Sequence, residues 1–185
     1  MNSWQIQQAV QVMSAGGVIA YPTEAVWGLG CDPYNAKAVR RLLQLKRRPE
    51  HKGLILIAAS AEQVAPLLKD LSEEQLAQLD QTWPGPNTWL LPDPLGLIPD
   101  WVKGQHSQVA VRVTAHPLVK SLCELWGGPI ISTSANPSSA DPARSSLRVR
   151  TYFGSGLDQI LMGELGGLDR PSTIRSITDF SVIRT

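Results

Sequence analysis

The chain has 185 residues, 43% of them hydrophobic, with 17 Lys and Arg against 16 Asp and Glu and a formal net charge of +1. That length suits one domain, residues 1–185, or one domain with a small appendage, able to bury roughly 70% of its unfolded surface, and the composition excludes a disordered or strongly polyionic chain. The first eight residues, Met1 to Gln8, lack a basic segment and a long apolar core. A signal peptide is therefore not expected, and no apolar run approaches the roughly 20 residues that cross a bilayer, so a cytoplasmic protein is expected.

Ile6, Ala9, Val10 and Met13 recur at helical spacing, which predicts an amphipathic helix over 3–15 with Ser3 as cap and Gly16-Gly17 as stop. Val18 to Tyr21 reads as a short strand ended by Pro22, and Thr23 to Cys31 either as a glycine-bearing loop that lets backbone approach a ligand or as a plain turn with Trp27 in the core. Val39, Leu42, Leu43 and Leu45 predict a second helix, which stops before Pro49 because the residue preceding proline is pushed out of the helical region. Gly53 to Ala59 reads as a strand. Ser60-Ala-Glu-Gln63 and Ser72-Glu-Glu-Gln75 both have capping-box spacing, for helices running to Leu68 and to about Thr82. Trp83 to Pro86 reads as a turn, Asn87 to Leu91 as a strand, and Pro92 to Pro99 as a loop or sheet edge. Gln108 to Thr114 is the next strand, His116-Pro117 opens a helix to about Leu125, and Pro129 to Asn136 is a strand ending in hydroxyls and an amide. Pro137 to Ser146 is rich in proline and serine and is expected to be mobile. A short helix over 147–153, a strand over 159–162, a turn at Gly166-Gly167 and strands near 173–177 and 181–184 complete the chain.

Charge is uneven along this series. Lys37, Arg40, Arg41, Lys46, Arg47, Arg48 and Lys52 are opposed only by Glu50, whereas Glu62, Asp70, Glu73, Glu74 and Asp80 face only Lys69. One surface should therefore be positive although the total is near neutral. The basic run reads either as a site for a polyanion or as a solvated helix end that complements the macrodipole. Arg112, inside an apolar strand, needs an anion, because an unpaired buried cation costs several kcal/mol; that anion is either a substrate group or a carboxylate such as Glu24. Polar residues at the carboxyl end of a strand, as in Ser132 to Asn136, lie where open α/β sheets bind ligands, although they also serve to cap a turn. Cys31 and Cys123 are expected to be reduced and buried. His51, His106 and His116 show no zinc spacing, and the chain contains no Walker A or G-x-G-x-x-G sequence.

Four blocks occur together in one order: Tyr21-Pro-Thr-Glu-Ala-Val-Trp-Gly-Leu-Gly30, Lys46-Arg-Arg-Pro49 with Lys52-Gly-Leu54, Val109-Ala-Val-Arg-Val113 with His116-Pro117, and Ser132-Thr-Ser-Ala-Asn136. With the Pro171-Ser-Thr-Ile174 element, this arrangement resembles the threonylcarbamoyl-AMP synthase family, TsaC or YrdC, from about residue 5 to the end, and in its short bacterial form. The resemblance implies a twisted mixed β-sheet with flanking helices and a deep, positively lined cavity. It implies a nucleotidyltransferase that converts L-threonine, bicarbonate or carbon dioxide, and ATP with Mg2+ into threonylcarbamoyl-AMP and diphosphate. This is the first step of N6-threonylcarbamoyladenosine (t6A) formation at position 37 of tRNAs that read codons beginning with A. It also implies downstream transfer by TsaD, TsaB and TsaE, and leaves room for direct tRNA binding.

By the same resemblance, Lys46 and Arg48 are the catalytic cations that hold the triphosphate, Ser134, Asn136 and Arg184 are further ATP contacts, and Thr23, Arg112, Ser132 and Ser172 surround threonine. No dedicated metal site is implied, Mg2+ being held mainly by the ATP phosphates, with Ser134 and Asn136 on those phosphates or on the metal. Glu50, where longer relatives carry a basic residue, and Gln108, where a small hydroxyl is frequent, depart from the pattern at the outer nucleotide contacts. Two other functions are weighed against this one. The first is a non-catalytic module for structured RNA or tRNA, for which the basic run is suited but no RNA-reading aromatic motif is present. The second is a related carbamoyl-adenylate chemistry on another amine or on carbamoyl phosphate.

Overall fold

The computed structural model describes residues 3–184. Helix α1 (Ser3–Ser14) is followed by strands β1 (Ile19–Pro22) and β2 (Trp27–Gly30), helix α2 (Ala36–Lys46) and strand β3 (Ile55–Ala58). Helix α3 (Glu73–Thr82), strand β4 (Asn87–Pro92), helix α4 (Asp100–Lys103), strand β5 (Gln108–Val113), helix α5 (Pro117–Trp126) and strand β6 (Ile130–Ser134) make up the middle of the chain. Helix α6 (Ser146–Phe153) and strands β7 (Gln159–Ile160), β8 (Thr173–Ser176) and β9 (Val182–Arg184) close it. The strands form one mixed sheet in the order β7-β1-β2-β6-β3-β5-β4-β8-β9. Pairing is parallel at β1/β7, β3/β5 and β4/β8 and antiparallel elsewhere.

The two-residue period of the strands divides the apolar residues between two cores. On one face Ile19, Tyr21, Ile57 and Ile130 pack with Ile6, Ala9 and Met13 of α1 and Leu118, Val119 and Leu122 of α5. Their neighbours Ala20, Leu56 and Ile131 turn the other way, to Leu42 of α2, Leu79 of α3, Val102 of α4 and Val149 of α6. Helices α1 and α5 cover only part of their face, and the uncovered part is where the site lies. There Leu90, Ala110, Ile55 and Ser132 form one cross-strand row.

Several expectations change. Ser72 caps α3 through a complete capping box, as read from sequence, but Ser60 makes no cap bond and residues Ala61–Leu67 form a 3-10 helix with Pro66 inside it. The Gln63 amide is drawn elsewhere, accepting from Ala59 N at 2.8 Å and donating to Cys123 O at 2.9 Å. The segment expected as a loop after Pro22 contains β2, whose glycines are there for space: a Cβ on Gly30 would stand 2.6 Å from Ile131 O and 2.8 Å from the Tyr21 ring. The proline-rich 137–146 segment, expected to be mobile, is bonded to the fold: Trp27 N donates to Ala143 O (2.8 Å), Ala143 N to Ala135 O (3.1 Å) and Ser138 N to Lys46 O (2.7 Å). Both cysteines are free and buried. Burial pushes each thiol up to about 12, which leaves them unreactive.

Candidate functional site

Above the uncovered row lies a cavity of about 590 Å³. Thr23, Arg48, Arg112, Ser132, Ser134, Ser172 and Arg184 all line it, although they come from six separate parts of the chain. Lys46 and Asn136 do not. The wall also carries Lys52, Lys103, His106 and Arg170, which sequence reasoning did not single out as site residues. Lys52 sat in a recognised block and Arg170 beside another, so both carried a signal. Lys103 and His106 carried none, because α4 is only four residues long. That helix reaches the cavity by close backbone contact: Gly53 and Gly104 both have positive φ, and a Cβ on Gly104 would stand 2.4 Å from His51 O.

The end of α2 decides which cation faces the cavity. Asn35 caps its start by accepting from Lys37 N and Ala38 N, and Arg47 ends it in the left-handed region at φ 51. Arg48 N then donates to Leu43 O at 2.9 Å. This reversal sends Lys46 and Arg48 in different directions. Lys46 is 4% exposed, and its Nζ donates to the carbonyls of Ser134 and Asn136, the latter at 2.8 Å. Burial first, and repulsion from Arg48 second, push Lys46 down to about 7. The Asn136 amide also turns to backbone, donating to Pro137 O (3.1 Å) and Ala140 O (2.7 Å).

Arg48 leans on backbone carbonyls, with Nη2 donating to Gly53 O at 2.9 Å. Burial and then the nearby Arg184 lower its guanidinium from the ordinary value. Among the described residues neither arginine has a carboxylate within 4 Å, nor do Lys52 and Arg170. Two cations brought together, Arg48 half-buried and Arg184 exposed, without an acid between them form a place for an anion.

Deeper in, the cations are matched. Arg112 is 7% exposed and its Nη1 meets Glu24 Oε2 at 2.8 Å. Lys103 Nζ meets the fully buried Asp93 carboxylate at 2.9 Å. Hydroxyls line the same cavity: Thr23 Oγ1 donates to Val26 O at 2.7 Å, Ser172 Oγ is hydrogen-bonded to Thr88 Oγ1 at 2.7 Å, and Ser132 lies in the cavity row. Burial alone would raise the Glu24 carboxyl, but Arg112, the Thr114 hydroxyl and the Ala115 N–H outweigh it and hold it below the usual carboxylate value.

A mixed α/β sheet carrying matched cations deep in a cavity and unmatched ones beside them is a fold built to hold small anionic molecules. Residues 11–185 match the model of the Sua5/YciO/YrdC family, described as "Telomere recombination". The chain is 56% identical over 184 residues to a threonylcarbamoyl-AMP synthase of Stutzerimonas stutzeri, a match that covers all of this chain and 98% of that one. It is 54% identical over 184 residues to a threonylcarbamoyl-AMP synthase of Hahella chejuensis, covering the whole of both. The solved structure of P. abyssi Sua5 complexed with L-threonine superposes with a TM-score of 0.91 at 33% identity over 98% of this chain and 53% of that one, so the chain spans about half that protein's length. The chain belongs to the Sua5/YciO/YrdC family.

Proposed function

We infer that this protein is an L-threonylcarbamoyladenylate synthase, which makes threonylcarbamoyl-AMP and diphosphate from L-threonine, bicarbonate or carbon dioxide, and ATP. The observation that carries this reading is the joining of two unlike ends in one cavity: Arg48 and Arg184 without acid partners, and Arg112 among the hydroxyls of Thr23, Ser132 and Ser172. Relatives that match this chain end to end are named for the activity.

The chemistry asks for little acid-base work. Once the threonine amine has taken up carbon dioxide, a carbamate oxygen attacks the α-phosphorus of ATP. A new P–O bond forms, the bond to the bridging oxygen breaks, and diphosphate leaves with the electron pair. Two anions must touch for this to happen, and fixed positive charge removes their repulsion. Arg112 takes the threonine carboxylate, with Thr23, Ser132 and Ser172 beside it. Arg48 and Arg184 take the triphosphate, with the Ser134 hydroxyl at the strand end. Lys46 and Asn136 act from behind the wall: both bond to backbone, and Lys46 fixes the carbonyls of Ser134 and Asn136. No group of three His, Cys, Asp or Glu side chains gathers as a metal cage among the described residues. Mg2+ held by the ATP phosphates would supply further positive charge beside Arg48 and Arg184.

The product is an activated acyl group. Its consumers are the threonylcarbamoyl-transfer proteins TsaD, TsaB and TsaE, which act on adenosine 37 of tRNAs reading codons that begin with A, in the cytoplasm. The basic residues outside the cavity provide for contact with tRNA itself. Among the described residues, no helix is long and apolar enough to cross a membrane. The test is to mix the protein with ATP, Mg2+, labelled bicarbonate and threonine: diphosphate is released only when threonine is present, and release without threonine contradicts the assignment.

A further inference from the structure

Among the described residues Glu24 is the one carboxylate in the cavity wall, and it is fully engaged. Its Oε2 takes Nη1 of Arg112 at 2.8 Å, and its Oε1 takes Thr114 Oγ1 at 2.7 Å and Ala115 N at 3.2 Å. Thr114 and Ala115 directly follow the strand that carries Arg112, so Glu24 grips both the guanidinium and the end of β5. Its own backbone is held too, with Leu168 N donating to Glu24 O at 2.9 Å and Gly166 N to Thr23 O at 3.0 Å.

A guanidinium offers five N–H donors in a rigid plane. Glu24 takes one edge of it and leaves Nε and Nη2 free of any carboxylate among the described residues. Without that carboxylate Arg112 would be a bare buried cation, free to rotate toward water or the phosphates. With it, the charge is already compensated and the free edge points one way. Both Glu24 oxygens are occupied by donors, and the group is held ionised. It is therefore badly placed to take a proton from the threonine amine, and its work is done through Arg112.

We propose that Glu24 is a positioning residue for amino-acid recognition: it clamps one edge of Arg112 so that the opposite edge is presented to the threonine carboxylate, and it has no direct part in ATP binding. This rests on the assignment of Arg112 to threonine. A clamp of this kind acts on one substrate only, whereas a purely structural ion pair affects both alike.

The experiment measures KM for threonine and for ATP separately, by diphosphate release, in Glu24→Gln, Thr114→Val, Arg112→Ala and the Glu24→Gln/Arg112→Ala double variant, with circular dichroism on each. Glu24→Gln is expected to raise the threonine KM about tenfold or more, with the ATP KM within about twofold of wild type. Thr114→Val, which keeps the shape and removes one donor to Glu24, is expected to shift the threonine KM in the same direction by about threefold. The double variant is expected to match Arg112→Ala, because a clamp without its cation has nothing to hold. A folded Glu24→Gln protein whose threonine KM is unchanged, or whose two KM values rise by the same factor, overturns the proposal. Should Glu24→Gln fail to fold, an unshifted threonine KM in Thr114→Val overturns it equally. An Arg112→Ala protein with unchanged threonine KM overturns the threonine assignment itself, and the clamp with it.

Discussion

The two ends of the cavity hold the same kind of side chain in opposite electrostatic states. Arg112 is buried and paired with Glu24, in a cavity whose wall also carries the hydroxyls of Thr23, Ser132 and Ser172. Arg48 and Arg184 stand near each other with no carboxylate within 4 Å among the described residues. A compensated arginine gives direction, because its position is set before any ligand arrives. Uncompensated arginines give attraction, because their mutual repulsion is relieved only when an anion arrives. Under the proposed assignment, the difference matches what each substrate requires. Threonine must be distinguished from other amino acids by a small pocket, whereas a triphosphate carries several charges and mainly needs to be held.

Removing the cation at each end separates the two states. Arg112→Ala has the largest expected effect, since it leaves the Glu24 carboxylate buried with its main partner gone. Breaking such a pair costs about 3–5 kcal/mol, which lowers the melting temperature on the order of 10 °C for a chain of this size and strongly raises the threonine KM for diphosphate release. Thermal unfolding and turnover measured on one preparation check both parts. Arg48→Ala is expected to spare the fold, with melting within a few degrees of wild type. It should weaken ATP binding by about 1.5–3 kcal/mol, the range for a charge-assisted contact, and leave threonine binding near normal. Added salt should weaken ATP binding more than threonine binding in the wild type, because screening acts on the exposed charges.

A separate effect concerns Lys46, which belongs to neither end. Its folded-state value near 7 lies below the ordinary 10.5, so between these two the unfolded chain binds a proton that the folded one lacks. Stability then rises with pH across that window, and the burden of the buried charge is full below it. Compared with Lys46→Met, which has nothing to titrate there, the wild type should gain melting temperature from pH 7 toward pH 10. A constant difference between the two proteins over that range contradicts the burial of Lys46.

Much of the architecture was legible because it rests on local chemistry. The Ser72 capping box, the start of α5 at Pro117 with its stop at Gly127, and the alternation in β5 are short-range patterns, and each formed as read. What was hidden depends on partners distant in the chain. Ser60-Ala-Glu-Gln63 has the same spacing as the Ser72 box, but its glutamine bonds to Cys123, sixty residues away. Trp27 to Gly30 looked like a loop because its glycines serve the Tyr21 ring and the Ile131 carbonyl. The site shows the same division. Arg112 announced itself as a cation in an apolar strand; the fold gives it the Glu24 pair and also a place in the cavity wall. Lys46 and Arg48 look equivalent in a K-x-R element, and only the left-handed turn at Arg47 shows that one faces inward and the other faces the cavity.

The most direct test of a paired and an unpaired end serving two different substrates is a crystal structure of the protein with L-threonine and a non-hydrolysable ATP analogue bound together. The account predicts the threonine carboxylate on the edge of Arg112 that Glu24 leaves free, and the phosphates between Arg48 and Arg184. Phosphate oxygens on Arg112, or threonine bound outside the Thr23, Ser132 and Ser172 pocket, would contradict it.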